Sequence, residues 1–265
     1  MQRSLVGSEM CIRDRFKMKG QGFFMKIKLR KYRTAIFSAL AVMASAAMIH
    51  YAMGQIDSAV YTNTAESDPN ARVIVLDSGH GGMDGGCSTA DGVTEKGINL
   101  SIMLSVRDMC RLYGFDTAVT RDRDISIHDS GTTGIRNQKV SDMENRLELF
   151  NKFPNAVCLS VHQNTYTDPK YSGAQMFYSP ANADSERFAS ILQNLFVKNL
   201  QPDNMRETKL CGKELYLCYY CNNPAVMAEC GFLSNPDEAA KLTDRDYQRQ
   251  VAYTLFTGLN EFICG

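Results

Sequence analysis

The apolar run Val73-Ile74-Val75-Leu76 stops at Asp77-Ser78-Gly79-His80-Gly81-Gly82. No other stretch of the chain restricts its fold as tightly. A continuous β-branched and aliphatic run has no face for water, so it reads as a strand covered on both sides, as in a parallel sheet flanked by helices. The glycines after it end the strand and present an imidazole in a loop at its C-terminal end, where open α/β sheets gather ligands.

The pattern recurs downstream. Ile98, Ile102, Val106 and Met109 stand at helical spacing, and residues 99–113 read as an amphipathic helix stopped by Gly114. Residues 115–120 read as a second strand, 121–139 as a long polar loop, and 141–152 as a helix ended before Pro154. That helix carries Met143, Leu147 and Phe150 on one side and Arg146 on another. Residues 156–161 form a third buried strand, followed directly by His162. Further strands are expected over 173–178, 215–220 and 225–229, with a helix over 184–200 between the first two. Asn235, Pro236 and Glu238 have the chemistry of an N-cap, a first helical residue and a capping box. A second cap signal, 243–246, precedes an apolar stripe of Tyr247, Val251, Leu255 and Leu259. Strands alternating with helices predict an α/β single domain, a mainly parallel mixed sheet of about six strands flanked by helices.

An N-terminal signal or anchor segment precedes that domain. Lys26, Lys28, Arg30, Lys31 and Arg33 lead into an apolar run over 35–49 broken only by Ser38 and Ser45, the basic and apolar regions of an export signal. Ala44-Ser45-Ala46 offers a cleavage site, while the length also suits an uncleaved membrane anchor. Four segments are expected: a non-native leader over 1–24 ahead of a natural start at Met25, the signal or anchor over 25–53, a polar linker over 54–71, and a catalytic domain over 72–265. The domain is thereby placed outside the cytoplasm, at the cell wall or the outer face of the membrane, secreted or anchored. Lys plus Arg equals Asp plus Glu at 29 each, so the basic excess of a nucleic-acid binder is missing. The nine cysteines are odd in number and scattered, and most read as small apolar core residues. Cys218 and Cys221 have C-x-x-C spacing, but on a strand over 215–220 they would face opposite sides and share no metal or redox role.

His80, His162 and Glu229 all stand at the ends of expected strands. Glu95 lies fifteen residues after His80 at the head of the first helix, which packs back on the same edge. Two imidazoles and a carboxylate suit tetrahedral Zn²⁺ and leave a fourth position for water. Glu229, a carboxylate ending an apolar strand, is placed to accept a proton and pass it on. Gly79, Gly81 and Gly82 allow close backbone approach, and Asp77 is a candidate support for His80 or its loop. Arg146 reads either as a surface charge or as a holder of an anionic substrate group. A phosphate-cradling loop is excluded, because no Gly-Lys-Ser/Thr follows and Gly79-x-Gly81-x-x-Asp84 departs from the dinucleotide fingerprint.

The motifs Asp77-Ser-Gly-His-Gly-Gly82, Glu95, Ser160-Val-His-Gln-Asn164 and Ala228-Glu-Cys-Gly-Phe-Leu-Ser-Asn235 resemble, in order and spacing, the signatures of the zinc-dependent N-acetylmuramoyl-L-alanine amidases of the amidase-3 type. The resemblance spans 72–262. It implies one Zn²⁺ held by His80, Glu95 and His162, with Glu229 as the catalytic glutamate. The implied reaction is hydrolysis of the amide between the lactyl group of N-acetylmuramic acid and L-alanine in peptidoglycan. Ser78 stands where that family usually has proline, and Gln163 where it usually has alanine; neither is a ligand position. The stretches 131–139 and 172–178 and the short N-terminus look most like the germination-specific amidases, which act in muramic-δ-lactam formation in spore cortex. Arg146 and Asn164 are candidate substrate contacts. A zinc peptidase acting on the stem peptide, a silent wall-binding module and a vegetative autolysin are the competing readings, and no residue pattern identifies an activating protein partner.

Overall fold

The computed structural model describes residues 72–265 together with residues 37, 38, 40, 42–45 and 48. The leader, the cleavage site as a whole and the linker lie outside the described residues. Among the described residues no helix is long and apolar enough to cross a membrane.

The domain from residue 72 onward runs β1 (Ile74–Ser78), α1 (Glu95–Leu112), β2 (Thr117–Val119), α2 (Ile135–Asn151), β3 (Val157–Asn164), β4 (Gln175–Tyr178), α3 (Asp184–Asn199), β5 (Lys209–Leu210), α4 (Tyr216–Tyr219), β6 (Ala225–Phe232), α5 (Pro236–Thr243) and α6 (Arg245–Cys264). Its strands form one sheet in the order β2-β1-β3-β6-β4-β5. β2, β1, β3 and β6 are parallel, and β4 runs antiparallel to β6. The expected mainly parallel mixed sheet of six strands is what the chain forms.

Every residue of β1 is buried, as its unbroken apolar run requires. One face of the sheet is covered by α1, α3 and α6 through Ile102, Val106, Leu192, Phe196, Val251 and Leu255. The other packs Val75, Cys158 and Met227 against Phe150 of α2 and Leu217 and Cys218 of α4. This second layer is thinner, and it forms one wall of the site described below.

Several boundaries differ from the sequence reading. α1 begins at Glu95 rather than near 99, so Glu95 opens the helix. α2 begins at Ile135, which shortens the preceding loop. Ile135 and Val140 are exposed, and the face that α2 buries is Ser141, Arg146 and Phe150. A largely polar buried face carries no apolar period to read. Residues 215–220 are not a strand: Tyr216–Tyr219 is a helical turn, and the fifth strand is the exposed pair Lys209–Leu210. A short apolar run suits a buried helical turn as well as a strand. β6 continues to Phe232, so Glu229 lies within it rather than at its end. Asn235 caps α5 as expected, accepting from the amides of Asp237 and Glu238, but Glu238 does not close a capping box. Its carboxylate accepts instead from the amides of Phe232 and Gly173. Within the second cap signal, 243–246, it is Asp244 that caps α6.

Candidate active site

Parallel pairing sets the site's geometry. Register between β3 and β6 places His162 opposite Glu229, and register between β1 and β3 places Asp77 opposite Ser160. His80 follows β1 by two residues, in a left-handed conformation (φ 62) uncommon for any residue but glycine. Two groups hold it there. The Arg146 Nη2 donates to the His80 carbonyl at 2.7 Å, and the Asp84 Oδ2 lies 2.9 Å from its ring Nδ1. The Lys139 ammonium holds the other Asp84 oxygen at 2.8 Å.

Glu95 enters from the first turn of α1 and joins the two histidines. Its Oε1 lies 3.0 Å from His162 Nδ1 and its Oε2 3.2 Å from His80 Nε2. The amides of Gln163 and Cys87 and the Asn99 side chain donate to the same carboxylate at 3.0–3.1 Å. One ligand atom from each of His80, Glu95 and His162 lies within 4.8 Å of the others.

The electrostatics favour positive charge at this point. Burial alone would lower the proton affinity of His80, but hydrogen bonds to Glu95 and Asp84 and their charge outweigh it and raise its pKa to about 9. Burial would raise Glu95, yet the two imidazoles hold it well below the usual carboxylate range. Glu229 behaves oppositely: burial, with repulsion from Glu95, outweighs the attraction of His162 and His80 and raises it to about 7. Its Oε2 is buried without a hydrogen-bond partner. A borderline-soft N₂O donor set that attracts positive charge, beside an unpaired carboxylate oxygen, fits a divalent cation of the zinc type.

Two glycines make this convergence possible. A Cβ on Gly79 would stand 2.1 Å from His162 Cε1, and one on Gly86 would stand 2.4 Å from Glu95 Oε2 and 2.7 Å from His80 Cδ2. Gly79 was legible as a close-approach position in the sequence; Gly86 was not. Gly81 and Gly82 pack against the 125–126 backbone instead.

The other expected residues fall differently. Arg146 is not a surface charge. It is 2% exposed, and its guanidinium donates to Asp142 (2.7 Å), Asp77 (2.5 Å) and the carbonyls of Ser78 (2.8 Å) and His80 (2.7 Å). Asp77 accepts further from Ser160 and Thr120, so it supports the loop through Arg146 and does not touch the His80 ring. Those partners hold Asp77 below the usual carboxylate range: burial would raise it, and Arg146, His162 and the two hydroxyls outweigh that. Asn164 sits at the last position of β3, its side chain accepting from the Thr165 amide, outside the lining of the cleft. That cleft, about 320 Å³, is lined by His80, His162 and Glu229 and by the side chains of Met83, Met143 and Tyr216 among others. Asp84, Asn99 and Lys139 were not singled out in the sequence. Only the four-residue step from His80 to Asp84, in a loop with three intervening residues, could have pointed to the first.

Comparison with known proteins identifies the family. The family model for N-acetylmuramoyl-L-alanine amidase (Amidase_3) matches residues 74–261. The germination-specific N-acetylmuramoyl-L-alanine amidase of Bacillus subtilis is 33% identical over 190 residues, covering 72% of this chain and 79% of that protein. The amidase AmiA of Escherichia coli is 25% identical over 251 residues, covering 77% and 82%. The CwlD amidase from Clostridioides difficile, solved in complex with the GerS lipoprotein, superposes with a TM-score of 0.70 at 33% identity over 73% of this chain and 98% of that one. With the motifs, the sheet and the family model all coinciding over 74–261, the chain belongs to the amidase-3 family of N-acetylmuramoyl-L-alanine amidases.

Proposed function

We propose that this enzyme hydrolyses the amide between the lactyl group of N-acetylmuramic acid and L-alanine with one Zn²⁺ held by His80, Glu95 and His162, and that it does so in spore cortex during muramic-δ-lactam formation. The observation that carries the reading is the convergence of those three donors within 4.8 Å, beside the unpaired Oε2 of Glu229. When bound there, zinc supplies a Lewis acid and lowers the pKa of a water to about 7.

The protein's own groups perform the proton transfers. Glu229, raised to about 7 by burial, takes a proton as the carbonyl is attacked and returns it to the leaving nitrogen of L-alanine. Asp84 fixes the tautomer of His80 by accepting at Nδ1, which turns Nε2 toward Glu95. Arg146 holds the His80 loop in its left-handed turn, a positioning role rather than a substrate contact. Asn164, outside the cleft lining, is left as a candidate substrate contact.

The cortex role is supported by the likeness to the germination-specific amidase. The domain acts outside the cytoplasm, exported by the segment 25–53 and released or anchored, with 54–71 as linker and 72–265 as catalytic domain; a start at Met25 belongs to the same proposal. The complex of the C. difficile relative supports a lipoprotein partner for this chain as well.

Mass spectrometry of purified cortex digested with the zinc-loaded full chain tests the reaction. Free lactyl carboxylates with new N-terminal alanine are expected. Cuts confined to the stem peptide would indicate the peptidase, and intact cortex the silent module.

A further inference from the structure

Four cysteines meet beneath the wall of the cleft formed by residues 214–217. Cys158 on β3, Cys211 just after β5, Cys218 on α4 and Cys221 are each at most 3% exposed and belong to one core cluster. Within it they stand in pairs. Cys158 is in register with Ala225 and its amide donates to the Pro224 carbonyl at 2.8 Å, while the Cys221 Sγ lies 3.6 Å from the Asn223 carbonyl. Both therefore sit at the same end of β6 as side-chain neighbours, with the Cys158 Sγ 3.5 Å from the Phe150 carbonyl. The Cys211 amide donates to the Tyr178 carbonyl at 2.9 Å, and the Cys218 Sγ lies 3.7 Å from the Phe177 carbonyl. Both stand over the same two residues of β4 as side-chain neighbours, and the Cys218 Sγ lies also 3.7 Å from the Ala225 carbonyl.

The same four sulfurs do not converge as a metal site. Among the described residues the group of three or more donors within 4.8 Å of one another is His80, Glu95 and His162. Nor does the C-x-x-C spacing join Cys218 to Cys221: the Cys218 Sγ faces the carbonyls of Phe177 and Ala225, and the Cys221 Sγ that of Asn223. α4 overturns the reason for setting these cysteines aside, since they do not lie on opposite faces of a strand.

We propose that Cys158–Cys221 and Cys211–Cys218 are disulfide sites, oxidised as the chain folds outside the cytoplasm, and that the second bond fixes the cleft wall 212–217. In each pair two S–H bonds break and one S–S bond forms. The two electrons and two protons pass to a disulfide oxidant, protein or glutathione, which is reduced to two thiols. The inference takes only its oxidising compartment from the proposed export and nothing from the proposed reaction. The wall it concerns carries Glu214, Leu215, Tyr216 and Leu217 of the cleft lining.

The test is thiol mapping of the full chain, refolded with zinc in an oxidised/reduced glutathione buffer, then denatured, alkylated and digested. Linked peptides 158–221 and 211–218, each about 2 Da lighter than its dithiol, are expected, with Cys87 and Cys264 alkylated. Alkylation at all four positions, or a 218–221 link, overturns the proposal. Limited proteolysis of the refolded wild type before and after reduction reads the wall directly: cleavage within 212–217 rises several-fold on reduction, and equal rates refute the fixing role. Neither readout uses amidase activity, so failure of the proposed reaction leaves both intact.

Discussion

Arg146 and Asp77 form an ion pair of 2.5 Å with their side chains 2% and 1% exposed, and the same guanidinium reaches the His80 carbonyl at 2.7 Å. The pair thereby ties the floor of β1 to the loop that presents the first histidine. Removing one partner of such a buried pair leaves an uncompensated charge, at a cost of about 3–5 kcal/mol. Arg146→Met is expected to lose about that much in urea unfolding and to weaken zinc binding roughly 10–100-fold, the range seen when a group behind a ligand is lost. Unchanged zinc affinity in folded Arg146→Met would remove the positioning role.

Acid should reveal the Asp77 contribution. Its folded pKa is lowered relative to an unfolded value of about 3.9. The linked stability is therefore fully present above about pH 4 and is lost as pH falls through the lower, folded value. Asp77→Asn is expected to be less stable at neutral pH and to show a flatter decline as pH falls below about 4. Urea midpoints measured across that range in both proteins decide it.

Glu229 titrates in the opposite sense. In metal-free protein its pKa is raised to about 7 from about 4.3 unfolded, so the folded state keeps the proton longer and its stability falls as pH rises between those values. Glu229→Gln should abolish that decline while retaining zinc. Amidase activity should drop about 10²–10⁴-fold, as expected on losing a positioned acid–base group. Near wild-type turnover in this variant would dismiss Glu229 as the base.

Gly79 and Gly86 should admit no side chain. Gly79→Ala puts a methyl into the His162 ring and Gly86→Ala puts one between Glu95 and His80. Both are expected to lose stoichiometric zinc by metal analysis. Gly97→Ala, in α1 with nothing within 4 Å of the added Cβ, is the control and should gain about 0.4–1 kcal/mol.

Ser78 carries a buried Oγ with no hydrogen-bond partner. Ser78→Ala removes that unsatisfied group without disturbing the carbonyl that Arg121 and Arg146 bind, and is expected to stabilise the fold by about 1 kcal/mol. Thermal unfolding of the two proteins, metal-loaded and metal-free, measures it.

Much of this arrangement was legible in the sequence, for physical reasons. A double-sided buried strand needs an unbroken apolar run, which marked β1 and β3. Their histidines then had to emerge at one sheet edge, since parallel strands end on the same side. Glu95 and Glu229 joined them by the same logic, and the family motifs agreed. What escaped depended on partners distant in sequence. Arg146 reads locally as a polar helix residue, and only Asp77, 69 residues away, makes it a core group. The face α2 buries is polar, so no apolar period announced its first turn. Residues 215–220 could be strand or helical turn until β4 and β6 left no edge for them, and the thiol pairs became visible only with that change. Local periodicity and side-chain chemistry by themselves determined the class of fold and the residue types that converge at the site. Register, burial of charge and the pairing of groups far apart along the chain are properties of packing, and only the tertiary structure decided them.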